Sequence, residues 1–389
     1  VFIDFDGDGD FNGVNNATDE MFSATVANNA TTAPLAIAVP ANAVLNTNLG
    51  LRMRLSSDPA FIANMLPTGA ANNGEVEDHL VQVMGYDWGD LPDGNTGTTG
   101  TGNYATQNDG TTPSGANDGP SHKIISGLKL GASVDAEGNG QQNASANGDD
   151  SPTPPATDDE NGATFPTFVT GTLANITVNV MNMMAVPTAA KLFIFIDWNN
   201  DGDFADTDEA LAQVNVPDGT NGNLAPISVT PPVSSVPNTP LGVRVRLSTD
   251  MAAMSPNGEA PDGEVEDYTA TVTAFDYGDL PDSGTGTGTN NYETQSANGG
   301  PVHMIVSGIK IGTVAPDAEA NGQQNTGANG DDNASSPDDE DGWPAGTMLT
   351  AGQTTNVTVN VMNMTGGDAK LAVFIDFDGD GDFNGVNNA

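Results

Sequence analysis

Apolar and polar residues alternate over short stretches of this chain. Asn175-Ile176-Thr177-Val178-Asn179-Val180 and Leu241-Gly242-Val243-Arg244-Val245-Arg246-Leu247 each place their apolar side chains on one face, and both are rich in β-branched residues. Phe193-Ile194-Phe195-Ile196 is a continuous apolar run of strand length, the pattern of a strand covered on both faces. No long segment has helical periodicity. Gly, Pro, Asn and Asp cluster between the runs, which is turn chemistry. The pattern predicts an all-β chain of tandem antiparallel β-sandwich domains, Ig-like or jelly-roll in type.

Whole phrases repeat as well. Phe2-Ile3-Asp4-Phe5-Asp6-Gly7-Asp8-Gly9-Asp10-Phe11 returns with changes at Phe195–Phe204 and unchanged at Phe374–Phe383. Tyr86-Asp87-Trp88-Gly89-Asp90-Leu91-Pro92-Asp93 is echoed at Phe275–Asp282, and Gly119-Pro120-Ser121-His122 at Gly300-Pro301-Val302-His303. The repeat is about 180 to 190 residues. Residues 1–17 are identical to 373–389, whereas the middle copy of that stretch differs, so the chain reads as one window on a longer array. On that reading residues 1–85 are the C-terminal part of one sandwich, 86–273 a complete sandwich with a Gly/Thr-rich loop at 94–118, and 274–389 the N-terminal part of the next. Partial domains then lie at both chain ends, and neighbouring copies of the same unit are the expected partners. The Gly/Thr stretches at 95–102 and 283–289 read as flexible loops or linkers.

Charge narrows the partners. The 389 residues include 52 acidic side chains against 9 Lys and Arg, a formal net charge of −43. Such a surface repels nucleic acid and anionic lipid, and divalent cations are its natural counterions. No Cys is present, so neither disulfides nor thiolate zinc sites hold the fold, and no apolar run is long enough to predict a membrane-spanning helix. Three His residues are too few for a zinc site or a catalytic triad in each unit.

The acids are ordered. Asp4, Asp6, Asp8 and Gly9 match positions 1, 3, 5 and 6 of an EF-hand-like calcium loop, in which alternating carboxylates converge on one hard cation, with Asp10 next. Asp197, Asn199, Asp201 and Asp203 take those places in the middle copy, and Asp376, Asp378, Asp380 and Asp382 in the last. Asp208 falls where a closing carboxylate is expected, with Glu209 beside it, and Asp19 and Glu20 are the matching acids of the first copy. A second set comprises Asp135, Glu137, Asp149, Asp150, Asp158, Asp159 and Glu160, mirrored by Asp317, Glu319, Asp331, Asp332, Asp338, Asp339 and Glu340. Ca2+ is the expected metal for both sets, since magnesium seldom fills an all-protein cage. A third set, Asp87, Asp90 and Asp93 with Asp276, Asp279 and Asp282, suits turns as well as ligation.

Gly74-Glu75-Val76-Glu77-Asp78 and Gly263-Glu264-Val265-Glu266-Asp267-Tyr268 resemble the signature of the GEVED-domain family, found in secreted and surface proteins of bacteria. The resemblance implies a β-sandwich with an extracellular, cell-surface or matrix role and supplies no chemical activity. Paired glutamates raise the question of glycoside hydrolysis. Arg244 and Arg246 on the preceding strand suggest instead a cross-strand ladder with Glu264 and Glu266, or a contribution to a calcium cage, leaving Val243, Val245, Leu247 and Val265 for the core. The expected function is therefore that of a structural, non-enzymatic stalk or filament. The alternative is a calcium-dependent adhesin or carbohydrate-binding module that meets glycans through calcium or through Trp88, Trp198 and Trp343. Seven Asn-x-Ser/Thr sequons would permit glycosylation, although in a bacterial protein such sequons are usually incidental, and Asn175 and Asn356 lie in predicted strands.

Overall fold

A computed structural model of the chain describes residues 1–11, 20–40, 42–94, 100–108, 119–148, 159–330 and 339–383. It is nearly all-β. The central unit is a sandwich of two sheets. One sheet orders the strands Val214–Val216, Ala190–Ile196, Leu241–Ser248 and Glu264–Ala270, all antiparallel. The other is built around Ala174–Asn182, which pairs with Leu128–Leu130, Ala163–Thr164, Thr220–Asn223 and Ile227–Val229. Between the sheets Ile176, Val178 and Val180 meet Leu192, Ile194, Ile196, Val243, Val245 and Leu247, none more than 2% exposed. Full burial of one such side chain is worth about 1.5–3 kcal/mol, so this layer dominates the stability of the unit.

The opposite face of the first sheet is also covered, which explains the unbroken apolar run at 193–196. Phe193 and Phe195 pack there against Leu91, Tyr104, Ala146, Phe204, Ala253 and Ala260. Tyr86–Trp88, Pro120–Lys123 and Gly258–Ala260 form a small sheet in this cover, the last two strands parallel. A second parallel pair joins Val272–Thr273 to Phe168–Val169. The sheets of the sandwich are antiparallel, as the pattern predicts, and these two short pairs are parallel additions to them. Both pairs join segments distant in sequence, where no hairpin fixes direction.

The cross-strand ladder is corrected. Arg244 lies opposite Asp267, Val245 opposite Glu266, Arg246 opposite Val265 and Leu247 opposite Glu264. Residues directly opposite share a face. The arginines therefore point into the cover with Asp267 and Val265, and the two glutamates share the face of Val245 and Leu247. Gly263 makes the turn into this strand at φ +96°, where a Cβ would stand 1.7 Å from the carbonyl oxygen of Leu247.

The outer stretches repeat halves of this plan. In the first, Phe2–Ile3, Leu49–Leu55 and Glu75–Val81 form one sheet in the same register, with Arg52 opposite Asp78. A short helix, Pro59–Asn64, is capped by the Asp58 carboxylate. In the last, Phe275–Tyr277 pairs with Val302–Met304, repeating the cover, and Ile309–Ile311 with Val361–Asn363, repeating one pairing of the second sheet. Consecutive units are joined alike: Asn46 Nδ2 donates to the carbonyl of Ile124 and Asn238 Nδ2 to that of Ile305, both at 2.7 Å. Among the described residues no helix is long and apolar enough to cross a membrane.

Candidate metal centre

Each Asp-rich loop turns back on itself, the first two directly after the strands Phe2–Ile3 and Ala190–Ile196. Asp197 is fully buried and accepts hydrogen bonds from Gly202 N at 2.9 Å and Asp201 N at 3.2 Å. Asn199, Asp201 and Asp203 accept from the backbone two residues on, at 3.0, 3.2 and 2.8 Å. These Asx turns curl the chain so that alternate side chains converge. Asp4 and Asp376 accept in the same way from Gly9 and Gly381, at 3.2 and 2.9 Å. Carboxylate oxygens of Asp4, Asp6 and Asp8 lie within 4.8 Å of one another, as do those of Asp376, Asp378 and Asp380. Oxygens so spaced can share one hard cation whose bonds are about 2.3–2.6 Å long. In the middle copy Asn199 Nδ2 instead donates to Asp201 and Asp206, at 3.1 and 2.6 Å. Asp10 is exposed, and Asp382 is half-buried with its N–H on Asp380.

The acid that turns toward Asp197 is Glu209, not Asp208. Glu209 is 2% exposed, whereas Asp208 is exposed and offers only its carbonyl to Trp198 Nε1, at 3.1 Å. Counting positions as in an EF-hand assumes a helix after the loop. Here the chain runs extended beside Ile196, whose N–H bonds Glu209 O at 2.9 Å, so successive side chains alternate in direction. Burial pushes Glu209 up to about 7, with repulsion from Asp197, Asp206 and Asp201 behind it. Burial also raises Asp197. Glu20 occupies the matching place in the first copy, 3% exposed and bonded to Phe5 N at 3.2 Å, while Asp19 lies outside the described residues.

The Gly/Thr-rich segment is no linker where it is described. Gly100 and Asn103 bond each other's backbone, and Gly100 lies so close to Gly202 that a Cβ on Gly202 would come within 1.8 Å of the Gly100 oxygen. Tyr104 OH donates to Asp197 Oδ2 at 2.8 Å and accepts from Gly242 N at 3.0 Å. Tyr292 OH donates to Asp376 Oδ2 at 3.0 Å in the last unit. Tyr104 stacks on Phe204 and Tyr292 on Phe383. Sequence reasoning missed both tyrosines, although each follows the repeated Asp-Leu-Pro-Asp phrase at nearly the same distance, which was a usable signal.

The second acidic set gathers at the edge of the Glu264–Ala270 strand and draws in one member of the third. Oxygens of Asp87, Glu137 and Asp159 lie within 4.8 Å of one another. Backbone amides fix each one: Val265 N donates to Asp87, Trp88 N to Glu137 at 3.0 Å and Asp135 N to Asp159 at 3.0 Å. The last unit repeats two of these bonds, Tyr277 N to Glu319 at 3.0 Å and Asp317 N to Asp339 at 3.1 Å. There burial pushes Asp276 up to about 6 and Glu319 up to about 10. Asp135 and Glu340 are exposed, and Glu160 is half-buried. Asp149, Asp150, Asp158, Asp331, Asp332 and Asp338 lie outside the described residues.

The rest of the third set tethers loops. Asp90 accepts from Gly148 N at 2.8 Å and Asp279 from Gly330 N at 2.8 Å. Asp93 accepts from Thr106 and Gln107, and Asp282 from Thr294 and Gln295. Trp88 and Trp198 are 8% and 3% exposed, so neither offers a ring face for stacking on a sugar; Trp343 is 39% exposed.

Fold and site together define a tandem β-sandwich repeat protein with recurrent carboxylate clusters at its loops and strand edge. The family model of the GEVED domain matches residues 1–82 and 191–271, so the chain carries two segments that match this domain. No curated protein matches it, and no solved structure does.

Proposed function

We propose that the protein is a structural, extracellular repeat module that binds calcium and builds a stalk or filament by end-to-end continuation of its sandwiches. The observation that carries this reading is the repeated junction: the asparagine of one unit donates to the carbonyl of the next at both Asn46–Ile124 and Asn238–Ile305. A joint made twice in the same way propagates a constant geometry, as solenoid arrays do.

The exposed faces support the same reading. Val265 is 1% exposed under the cover, and its counterpart Val76 is 54% exposed. Phe195 is 2% exposed, and its counterpart Phe374 is 66% exposed. Residues 274–383 present a cover and residues 1–82 present the strand that such a cover buries, so a second copy can seat one on the other. The acidic loops would take calcium as the counterion that offsets their repulsion. Electron microscopy and sedimentation with calcium and with chelator test the proposal. Calcium-dependent rods with an even repeat are expected; compact monomers under both conditions would refute it.

A further inference from the structure

We infer that Glu264, the first glutamate of the Gly-Glu-Val-Glu-Asp phrase, closes a divalent-cation site whose other walls are Asp87, Glu137 and Asp159. The inference rests on the calcium reading above and assigns the family's signature glutamate a ligand role.

Three observations converge. First, the oxygens of Asp87, Glu137 and Asp159 fall within 4.8 Å of one another, although the residues come from three separate segments, the strand Tyr86–Trp88 and two loops. Backbone amides orient them, so the cluster is held in place before any ion arrives. Second, Glu264 is 1% exposed and one of its oxygens takes the Leu130 N–H, while the other, Oε1, is buried with no hydrogen-bond partner. A buried carboxylate oxygen with nothing to bind is costly unless a cation meets it. Third, Glu264 borders the cluster: Val265 N, next in the chain, donates to Asp87, and Asp159 is among the charges that repel Glu264.

The nearby side-chain cations are engaged elsewhere. Lys129 donates to the carbonyl of Ala132. Arg246 donates to His122 and to the carbonyls of Ser255, Asn257 and Gly258. Glu266 is itself spoken for, by the amides of Asn161 and Gly162 and the hydroxyl of Tyr268. Hard carboxylate oxygens converging from two strands and two loops suit Ca2+ better than the tighter octahedron of Mg2+. Because Glu264 follows Asp87 by most of a repeat, the ion would pin the cover to the sheet.

The test uses the whole chain, stripped of metal with EDTA and titrated with CaCl2 by calorimetry, beside thermal melts in chelator and in calcium. Glu264→Gln keeps an acceptor for Leu130 N and removes the buried charge. It should bind one calcium fewer than wild type, melt in chelator at the wild-type temperature or above, and gain less on calcium addition. A merely structural glutamate would give a lower melting temperature in chelator with the calcium count intact, and that result overturns the inference. Asp159→Asn, from another wall of the site, should lose the same ion and decides the matter if Glu264→Gln does not fold. Asp201→Asn in the Asp-rich loop separates the two readings. A wild-type chain that binds no calcium sinks both; a count lowered by Asp201→Asn and untouched by Glu264→Gln and Asp159→Asn sinks only this one.

Discussion

Arg244 and Asp267 face each other across neighbouring strands as a bidentate ion pair, Nε to Oδ1 and Nη2 to Oδ2 both at 2.8 Å, with neither side chain exposed. Asp267 Oδ2 also takes the amides of Asp90 and Leu91, and Arg244 donates to Ala105 O and Thr106 Oγ1. One pair thus ties two stretches of the cover to the sheet. Its counterpart, Arg52 with Asp78, keeps the 2.7 Å contact with the side chains 30% and 57% exposed.

Asp267→Asn should therefore destabilise the central unit by about 3–5 kcal/mol, because it strands a buried guanidinium. Asp78→Asn should have a far smaller effect, since solvent screens that pair. Urea denaturation of the two variants measures the contrast.

Calcium should raise the melting temperature, and chelator should reverse the rise. A site filled at a hundred times its Kd adds about 2.7 kcal/mol. Asp201→Asn should reduce the increment without changing the melt in chelator by as much. Differential scanning calorimetry at several calcium concentrations checks both statements.

Tyr104→Phe removes the hydroxyl that links Asp197 to Gly242 N. The expected cost is about 1–3 kcal/mol, because a buried amide loses its acceptor. Hydrogen exchange should quicken at Gly242 and across residues 100–106 before it does in the sandwich core.

His122 is fully buried; it receives Arg246 Nε on Nε2 at 2.9 Å, and its Nδ1 lies 2.8 Å from Asp262 O. Burial, and then the Arg246 charge, hold its pKa well below the usual histidine range. The unfolded chain takes up the proton below about pH 6.5 while the native chain does not, so stability present above that pH falls as the pH drops beneath it. His122→Gln should flatten the slope between pH 5 and about 6.5 in melts at saturating calcium.

Val76→Asp should leave the melting of the isolated chain nearly unchanged, since the side chain is exposed there. It should abolish end-to-end association, because a second copy would have to bury the new charge. Sedimentation velocity in calcium reads the difference.

By itself the sequence determined the β class, the repeat, and which side chains share a face within a strand, because a strand's period of two needs nothing beyond local order. It also located the Asp-rich loops and the Gly-Glu-Val-Glu-Asp strand, since turn residues and alternating carboxylates are local signals. What faces what was decided by the tertiary structure. The period says that Arg244 and Arg246 lie together and that Glu264 and Glu266 lie together; it does not say that they face each other. The register sets Arg244 against Asp267 and turns the glutamates to the opposite face, and a shift of one residue would exchange those partners. In the same way Glu209 took the inward place given to Asp208, and Asp87, which suited a turn as well as ligation, came to lie beside Glu137 and Asp159. These are contacts between segments far apart in the chain, fixed only when the cover closes on the sheet.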